Sequence, residues 1–442
     1  MTTNLTHKIW APAWECADRG DIRAQQLARL RETVAYTYRA VPHYRAKMDA
    51  VGLKPSDIRC LDDIRLLPYT TKTDFHQTYP FGLFAVPPAE LTRIHSSSGT
   101  TGKPTVVGYT KNDLETWVEL VARMVSLAGV VASDIAQISF GYGMFTGGFG
   151  LHYGLERAGA TVVPVSSGNT DRQFMFMEDF RTTVFISTPS YAAYIGEQAR
   201  LRGLELGKQL HLRLGLFGAE PWTEGMRTRI EAELGVSATD NYGMSELCGP
   251  GVSGECVIAK DGMHLAEDLF LWEVIDPLTE EPVAEGEIGE LIVTPLWKEA
   301  LPIIRYRTRD LTAVTTAPCA CGRTSARMAR VRGRTDDMLI IRGVNVFPTQ
   351  IEHVLMETEG TSPHYLLVVT REGALDTLEV WVEVSERMFS ESFSRMTVLR
   401  DLLTKKIHSV LGLSVKVKLV EPQTLERSQG KAKRVLDKRN LE

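Results

Sequence analysis

Cysteine is scarce in this chain, with six in 442 residues, too few for the disulfide frameworks that staple small secreted domains. No uninterrupted apolar run approaches the roughly 18 residues that cross a bilayer. The opening stretch MTTNLTHKIW lacks the basic and apolar regions of a secretory signal. A soluble, cytoplasmic protein without a membrane partner is expected. Positive charge is not in excess either: 50 Lys and Arg against 55 Asp and Glu leave a net charge of −5. Without a basic field to gather phosphate backbones, nucleic acid is not an expected partner. Internal repeats and low-complexity tracts are missing. What is present, 43% hydrophobic and 24% charged residues, is the composition of a globular protein. The length exceeds what one core usually serves, so at least two domains are expected.

Apolar spacing then divides the chain. Leu27, Leu30, Val34 and Tyr38 recur at helical intervals before about Asp63, and Leu67-Pro68-Tyr69 breaks the pattern. From about Leu91 to Val236, short apolar runs at Ile135–Phe140, Ala160–Val165, Val184–Ser187 and Leu212–Phe217 alternate with helical patterns at Leu114–Leu127 and Tyr191–Leu201. Strands alternating with helices predict a largely parallel α/β sheet covered on both faces. Asn241 to Thr315 is strand-rich with Gly and Pro punctuation, which predicts a β subdomain. The charged run Arg332–Asp337 reads as a boundary. Beyond it, strands at Tyr365–Val369, Leu378–Val384 and Val415–Val420 and a helix at Met396–Leu411 predict a separate α+β unit. The expected fold is thus α/β, with a large N-terminal domain of residues 1–333 and a small α+β C-terminal domain of residues 334–442.

The stretch Ser96-Ser97-Ser98-Gly99-Thr100-Thr101-Gly102-Lys103 places five hydroxyls and two glycines ahead of one lysine. Glycine lets backbone N–H groups approach a phosphate, hydroxyls donate to its oxygens, and lysine adds charge. This is not a Walker A loop, because position 97 is Ser where Gly is required and position 104 is Pro. A P-loop kinase is therefore disfavoured, although a flexible surface loop would read the same way in isolation.

The loop has companions. Asn241-Tyr242-Gly243-Met244-Ser245-Glu246, Arg305-Tyr306-Arg307-Thr308-Arg309-Asp310, Gly333 to Arg342-Gly343, and Gly430-Lys431-Ala432-Lys433-Arg434 follow it in order. Together they resemble the core motifs of the adenylate-forming superfamily of acyl-CoA synthetases. The wording SSGTTGKPTVVGYT and DDMLIIRGVNVFPTQIE is similar to that of the phenylacetate–CoA ligase family. The resemblance spans roughly Leu67 to Asp437.

That resemblance implies an ATP-dependent enzyme that joins a small aromatic carboxylic acid to AMP and passes the acyl group to coenzyme A. A carboxylate resists attack through charge and resonance, so AMP supplies the leaving group. Bringing it against a triphosphate requires positive charge and Mg²⁺. By the family pattern, Ser96–Lys103 would orient phosphates and Glu246 would hold Mg²⁺, with a helix cap the alternative for an acid there. Asp310 would accept from both ribose hydroxyls. Gly218-Ala219-Glu220 and Asp240-Asn241-Tyr242 would surround the adenine, with Tyr242 either stacking on it or filling core. Ser245 and Arg334 would join the nucleotide site. Lys431 would be the catalytic lysine bridging carboxylate and α-phosphate, and Asp336 the hinge about which the C-terminal domain swings between half-reactions. Tyr142, Phe145, Gly243 and Met244 would form a flat slot for an aryl ring, with core packing the alternative for each aromatic. Phenylacetate, benzoate, anthranilate and indoleacetate are not separable on this basis. A carrier-protein phosphopantetheine could replace coenzyme A, the reaction could stop at the adenylate, or the fold could bind nucleotide without catalysis. Family precedent implies a homodimer.

Cys319 and Cys321 form a tight pair in a turn, with Cys256 and His264 upstream. Three thiolates and an imidazole would complete a tetrahedral structural Zn²⁺ site, with unligated thiols as the alternative. Cys248 is the substitute ligand should His264 point elsewhere, while Cys16 and Cys60 read as packing.

Overall fold

A computed structural model describes residues 8–97, 104–342, 344–372, 375–390, 393–427 and 432–439. Ser98 to Lys103, Gly343 and Lys431, all named above, lie outside these described residues. The chain forms two compact units. The first spans Met1–Ser187, Gly207–Ala219 and Ser237–Arg330, and the second Thr188–Leu206, Glu220–Val236 and Val331–Glu442. The second unit therefore includes two segments that the sequence reading assigned to the large domain.

The first unit is organised by a nine-stranded sheet. Thr161–Val163, Ile135–Ile138, Val184–Ser187, Leu214–Gly218 and Ser237–Met244 run parallel. Every residue of Val184–Ser187 and Leu214–Gly218 is buried, as expected of parallel strands covered on both faces. The chain then reverses, and Gly249–Glu255, Met263–Leu265, Arg327–Met328 and Val314–Thr315 extend the sheet antiparallel. A separate antiparallel ladder is built from Phe270–Ile275, Gly289–Pro295 and Tyr306–Thr312. The strand-rich region thus divides between the main sheet and its own ladder.

Helix Lys111–Leu127 shows how local chemistry sets an element. The Thr110 hydroxyl accepts from the Asp113 N–H, and the Asp113 carboxylate accepts from the Thr110 N–H, a reciprocal cap on orphan donors. Trp117, Leu120, Val121, Met124 and Val125 then bury one stripe. Helix Arg19–Ala40 forms as predicted, but its buried face runs through Ile22, Gln26, Leu30, Thr33, Val34 and Thr37. Leu27 and Tyr38 are only half-buried. Gln26 displaces them because its amide donates to the carbonyls of Glu267 and Phe270.

In the second unit, strands Thr361–Glu372 and Leu375–Val384 pair antiparallel, Lys416–Val420 joins parallel to the latter, and Val435–Asp437 joins parallel to the former. Helices Pro348–Met356 and Phe393–Leu411 supply Ile351, Leu355, Leu399, Leu403 and Ile407 to the core beneath them. No helix among the described residues is long and apolar enough to cross a membrane.

Candidate active site

Parallel strands leave their carboxyl ends open to loops, where α/β sheets bind ligands. In the first unit those loops carry Phe140–Phe145 after Ile135–Ile138, Gly218 and Ala219 at the end of Leu214–Gly218, and Ser245–Cys248 after Ser237–Met244. Two close approaches fix their backbone. A Cβ on Gly243 would meet the Gly249 carbonyl oxygen at 1.7 Å, and one on Gly218 the Asn241 carbonyl oxygen at 2.5 Å. Ala219 holds a left-handed φ of 71°, a strained conformation for a residue with a Cβ.

The phosphate-loop candidate begins from a hairpin. Arg93–Ser96 pairs with Val106–Tyr109 in register Ser96↔Val106. The Ser97 N–H donates to the Thr105 carbonyl, and the Thr105 N–H returns a bond to the Ser97 hydroxyl. The Ser96 N–H donates to the Met144 carbonyl at 2.9 Å. Two residues on, the Thr146 and Ser245 hydroxyls meet at 3.2 Å. Ser96, Met144, Thr146 and Ser245 thereby link the loop's base to the turn that carries Glu246.

Glu246 is buried, and its carboxylate accepts from the Tyr306 hydroxyl at 3.1 Å. Tyr306 begins the strand that carries Asp310. Between Glu290 and Ile292 the ladder slips register, so that Thr308, Arg309 and Asp310 oppose a single residue. Arg309 takes a left-handed φ of 68° inside this bulge. Bulges re-aim side chains. Here the buried Asp310 carboxylate accepts from the Tyr242 hydroxyl at 2.6 Å, and its N–H donates to the Thr308 hydroxyl. Tyr242 is itself buried, with its hydroxyl spent on Asp310. Asn241 donates its side-chain amide to the Phe217 carbonyl at 2.6 Å, while Asp240 receives Arg330 at 3.4 Å. Asp310, Glu246, Tyr242, Ser245 and the loop base are thus brought together within one unit. Tyr306 has no role by motif alone, and its position four residues before Asp310 is the sequence signal for one.

Of the acid-slot candidates, Tyr142 is half-buried, packs edge-on against Phe149 at 5.4 Å and shares a hydrogen bond with His152 Nδ1 at 3.2 Å. Burial pushes its phenol above the ordinary range, so it presents a neutral wall. Phe145 is 49% exposed and caps helix Thr146–Ala158. Met244 is half-buried beside Gly243. The aromatic cluster includes His95 and Tyr153, both near Phe149. Their helical spacing (Phe149, His152, Tyr153) was the available signal.

In the second unit, the Arg334 guanidinium clasps the Asp336 carboxylate through two bonds of 2.9 Å, so the nucleotide candidate and the hinge candidate are partners. The Glu220 carboxylate accepts two backbone N–H groups, from Ser190 and Ala432.

Cys256, His264, Cys319 and Cys321 converge in the first unit, all buried, with ligand atoms within 4.8 Å of one another. The Cys256 and Cys319 sulfurs are 3.8 Å apart, which matches the edge of a tetrahedron with Zn–S bonds of about 2.3 Å. His264 Nε2 lies 3.4 Å from the Cys321 sulfur while its Nδ1 is held by Ser325 at 2.9 Å, the outer contact that orients a ligating imidazole. Hydrogen bonds from Cys256 and His264 hold the Cys321 thiol far below its usual range, and Cys256 is pushed up by that bond to Cys321. Cys248 lies apart, its thiol against the Gly249 and Pro250 carbonyls, so His264 and not Cys248 completes the set. Cys60 is exposed and is not packing, whereas the Cys16 thiol reaches the Gly322 carbonyl in the cysteine turn.

The AMP-binding enzyme pattern matches residues 49–295 and the AMP-binding enzyme C-terminal domain pattern residues 343–439. Phenylacetate-coenzyme A ligase of Thermus thermophilus is 50% identical over 98% of this chain and 100% of its own length. This chain belongs to the phenylacetate–coenzyme A ligase family of AMP-binding enzymes. The Escherichia coli phenylacetate-coenzyme A ligase is 47% identical over 97% of both chains. A crystal structure of 2-hydroxyisobutyryl-CoA ligase with an acyl-adenylate, in the postadenylation state, aligns at a TM-score of 0.91 and 30% identity, covering 96% of this chain and 91% of that one. Membership makes this chain an AMP-forming acid–CoA ligase that works through an acyl-adenylate and then a thioester. ATP and coenzyme A are its co-substrates.

Proposed function

We propose that the acid is phenylacetate or a close arylacetic acid. Extensive identity to phenylacetate-coenzyme A ligases supports this, as does the aromatic wall of Tyr142 and Phe149. The observation that carries the mechanism is the meeting of the Tyr242 hydroxyl with Asp310 on the bulged strand. An ionised carboxylate offers two oxygens and no donor, the chemistry that suits a pair of ribose hydroxyls. Glu246, braced by Tyr306, is the residue suited to a Mg²⁺ that neutralises phosphate charge. Lys431 supplies the ammonium that offsets charge as the acid's oxygen attacks the α-phosphorus and pyrophosphate leaves. Ser96 and Ser97 anchor the loop whose remaining members, to Lys103, orient that pyrophosphate. Gly218, Ala219 and the backbone of Asp240 to Tyr242 line the adenine, Arg334 joins the nucleotide site, Asp336 is the hinge, and Phe145, Gly243 and Met244 border the acid. The coenzyme A thiolate then attacks the acyl carbon and AMP leaves.

The three thiols and His264 would hold a structural zinc, as their spacing supports. We include a homodimer, for which family precedent speaks, and a cytoplasmic setting in this proposal; light scattering tests the first. ATP–pyrophosphate exchange across phenylacetate, benzoate, anthranilate, indoleacetate and short-chain acids tests the substrate. Phenylacetate is expected to give the highest kcat/KM, and a larger value for benzoate or a short-chain acid would overturn the assignment.

A further inference from the structure

The hydroxyl that braces Glu246 belongs to Tyr306, and Tyr306 is held in turn by a stretch of chain far upstream. The Thr70 N–H donates to the Arg305 carbonyl at 3.1 Å, and the Arg307 N–H donates to the Thr70 carbonyl at 2.9 Å. Thr70 thus spans Tyr306 from both sides, in a parallel bridge. The Phe75 ring packs edge-on against the Tyr306 ring at 5.9 Å. Arg305, which turns the chain into this strand, holds a left-handed φ of 44°. Such a conformation persists only where its surroundings over-determine it. Here the Arg305 carbonyl is taken by Thr70, its N–H by the Thr294 hydroxyl, and its guanidinium by the Leu67 carbonyl and the Tyr69 hydroxyl.

Thr70 is itself fixed from three directions, and all of these residues lie in the first unit. Its hydroxyl donates to the Ile304 carbonyl and meets the Tyr44 hydroxyl at 2.7 Å, while the Ile304 N–H donates to the Tyr44 oxygen at 3.4 Å. A hydroxyl has one proton to give, so the bonds run one way around a closed ring and Tyr44 is the donor to Thr70. Tyr44, Thr70 and Ile304 are all buried. Burial pushes the Tyr44 phenol above its ordinary range, which keeps that proton in place. The peptides on either side of Thr70 are pinned as well. The Lys47 ammonium donates to the Tyr69 carbonyl at 2.6 Å, and the buried Asp74 carboxylate accepts from the Thr71 N–H at 2.7 Å. Asp74 also pairs with His43 at 2.8 Å and Lys47 at 2.9 Å.

We propose that Thr70 is a positioning residue for adenylation: by clasping Tyr306 it aims the tyrosine hydroxyl at Glu246 and so sets that carboxylate for Mg²⁺. This rests on the reading of Glu246 as the Mg²⁺ residue. Mg²⁺ demands near-ideal octahedral geometry from its oxygens, so a carboxylate that turns freely holds it less well. Removing the Thr70 hydroxyl takes a partner from the buried Ile304 carbonyl and from the Tyr44 hydroxyl, and opens the ring. The effect should fall on the metal-bearing nucleotide. Metal-free ATP should be spared, as should thioester formation from a ready-made acyl-adenylate, which has already lost its pyrophosphate.

The test uses the full chain with Thr70→Val, Thr70→Ser, Glu246→Gln, and Thr70→Val combined with Glu246→Gln. Calorimetry gives Kd for ATP with and without Mg²⁺, thioester formation is measured from synthetic acyl-adenylate, and melting temperature is recorded. Thr70→Val should weaken binding of MgATP about tenfold, with Kd for metal-free ATP within about twofold and thioester formation unchanged. Thr70→Ser, which keeps the hydroxyl, should restore most of that loss. Added to Glu246→Gln, Thr70→Val should cost less than about twofold more, because residues acting through one carboxylate are not additive. Equal weakening of both forms of ATP, additive losses in the combined variant, or no change would each overturn the proposal. Should Thr70→Val melt early, Phe75→Leu removes the ring contact on Tyr306 while leaving the Thr70 bonds, and must show the same selectivity for MgATP. MgATP affinity unchanged in Glu246→Gln would defeat the reading of Glu246, whereas a loss there without one in Thr70→Val defeats this proposal alone.

Discussion

The Tyr242 hydroxyl donates to the Asp310 carboxylate at 2.6 Å across 68 residues of sequence. Hydrogen bonds to charged groups contribute about 1.5–3 kcal/mol. Tyr242→Phe should therefore raise KM for ATP about tenfold or more, because the ribose acceptor loses its orientation. An unchanged KM for ATP would show that Asp310 is positioned by the bulge alone.

Glu246 and Tyr306 form the second such pair. Glu246→Gln keeps the shape but removes the charge suited to Mg²⁺, and should lower adenylation about 100-fold or more. Tyr306→Phe keeps the charge and should cost about tenfold or less, with a larger Mg²⁺ requirement. Equal losses in the two variants would count against a metal role for Glu246.

The cysteine cluster predicts stoichiometric zinc in the purified protein. Cys319→Ser or chelation should lower the melting temperature by several degrees while leaving the ranking of acids unchanged. Metal analysis finding no zinc in freshly purified protein would end the idea.

His95 bears on pH. Burial holds its imidazole below the ordinary histidine range, with Arg93 and Lys298 adding to the effect. Its Nδ1 faces the Met144 carbonyl at 3.2 Å. The unfolded chain then takes up a proton, near its ordinary pKa of about 6.5, that the folded chain refuses. This part of the stability is full above that value and is lost as pH falls toward the lower folded pKa. His95→Leu should flatten the fall in melting temperature between about pH 7 and pH 5; an equally steep fall in the variant would exclude His95 as a source.

Much of the fold was legible from short-range pattern. Val184–Ser187 was read to the residue, and helix Lys111–Leu127 within one turn, because continuous apolar runs and periodic stripes are the direct imprint of burial. The misreadings have a shared cause. Leu27 was expected inside helix Arg19–Ala40, yet Gln26 is the residue that faces the core, since partners from 241 residues away were waiting for its amide. Cys60 looked like packing but is exposed, because nothing local records which face a short 3₁₀ turn presents.

The residue types at Asp310, Glu246, the cysteine turn and the glycine loop were dictated by their chemistry, and their order along the chain was enough to name a reaction class. Pairings were decided only by tertiary structure: Tyr242 with Asp310, Tyr306 with Glu246, His264 rather than Cys248 with the cysteine turn, and Glu220 with Ala432. A side chain's chemistry is a property of its own atoms, whereas its partner depends on which distant backbone, bulge or helix end the folded chain carries to within about 3 Å of it.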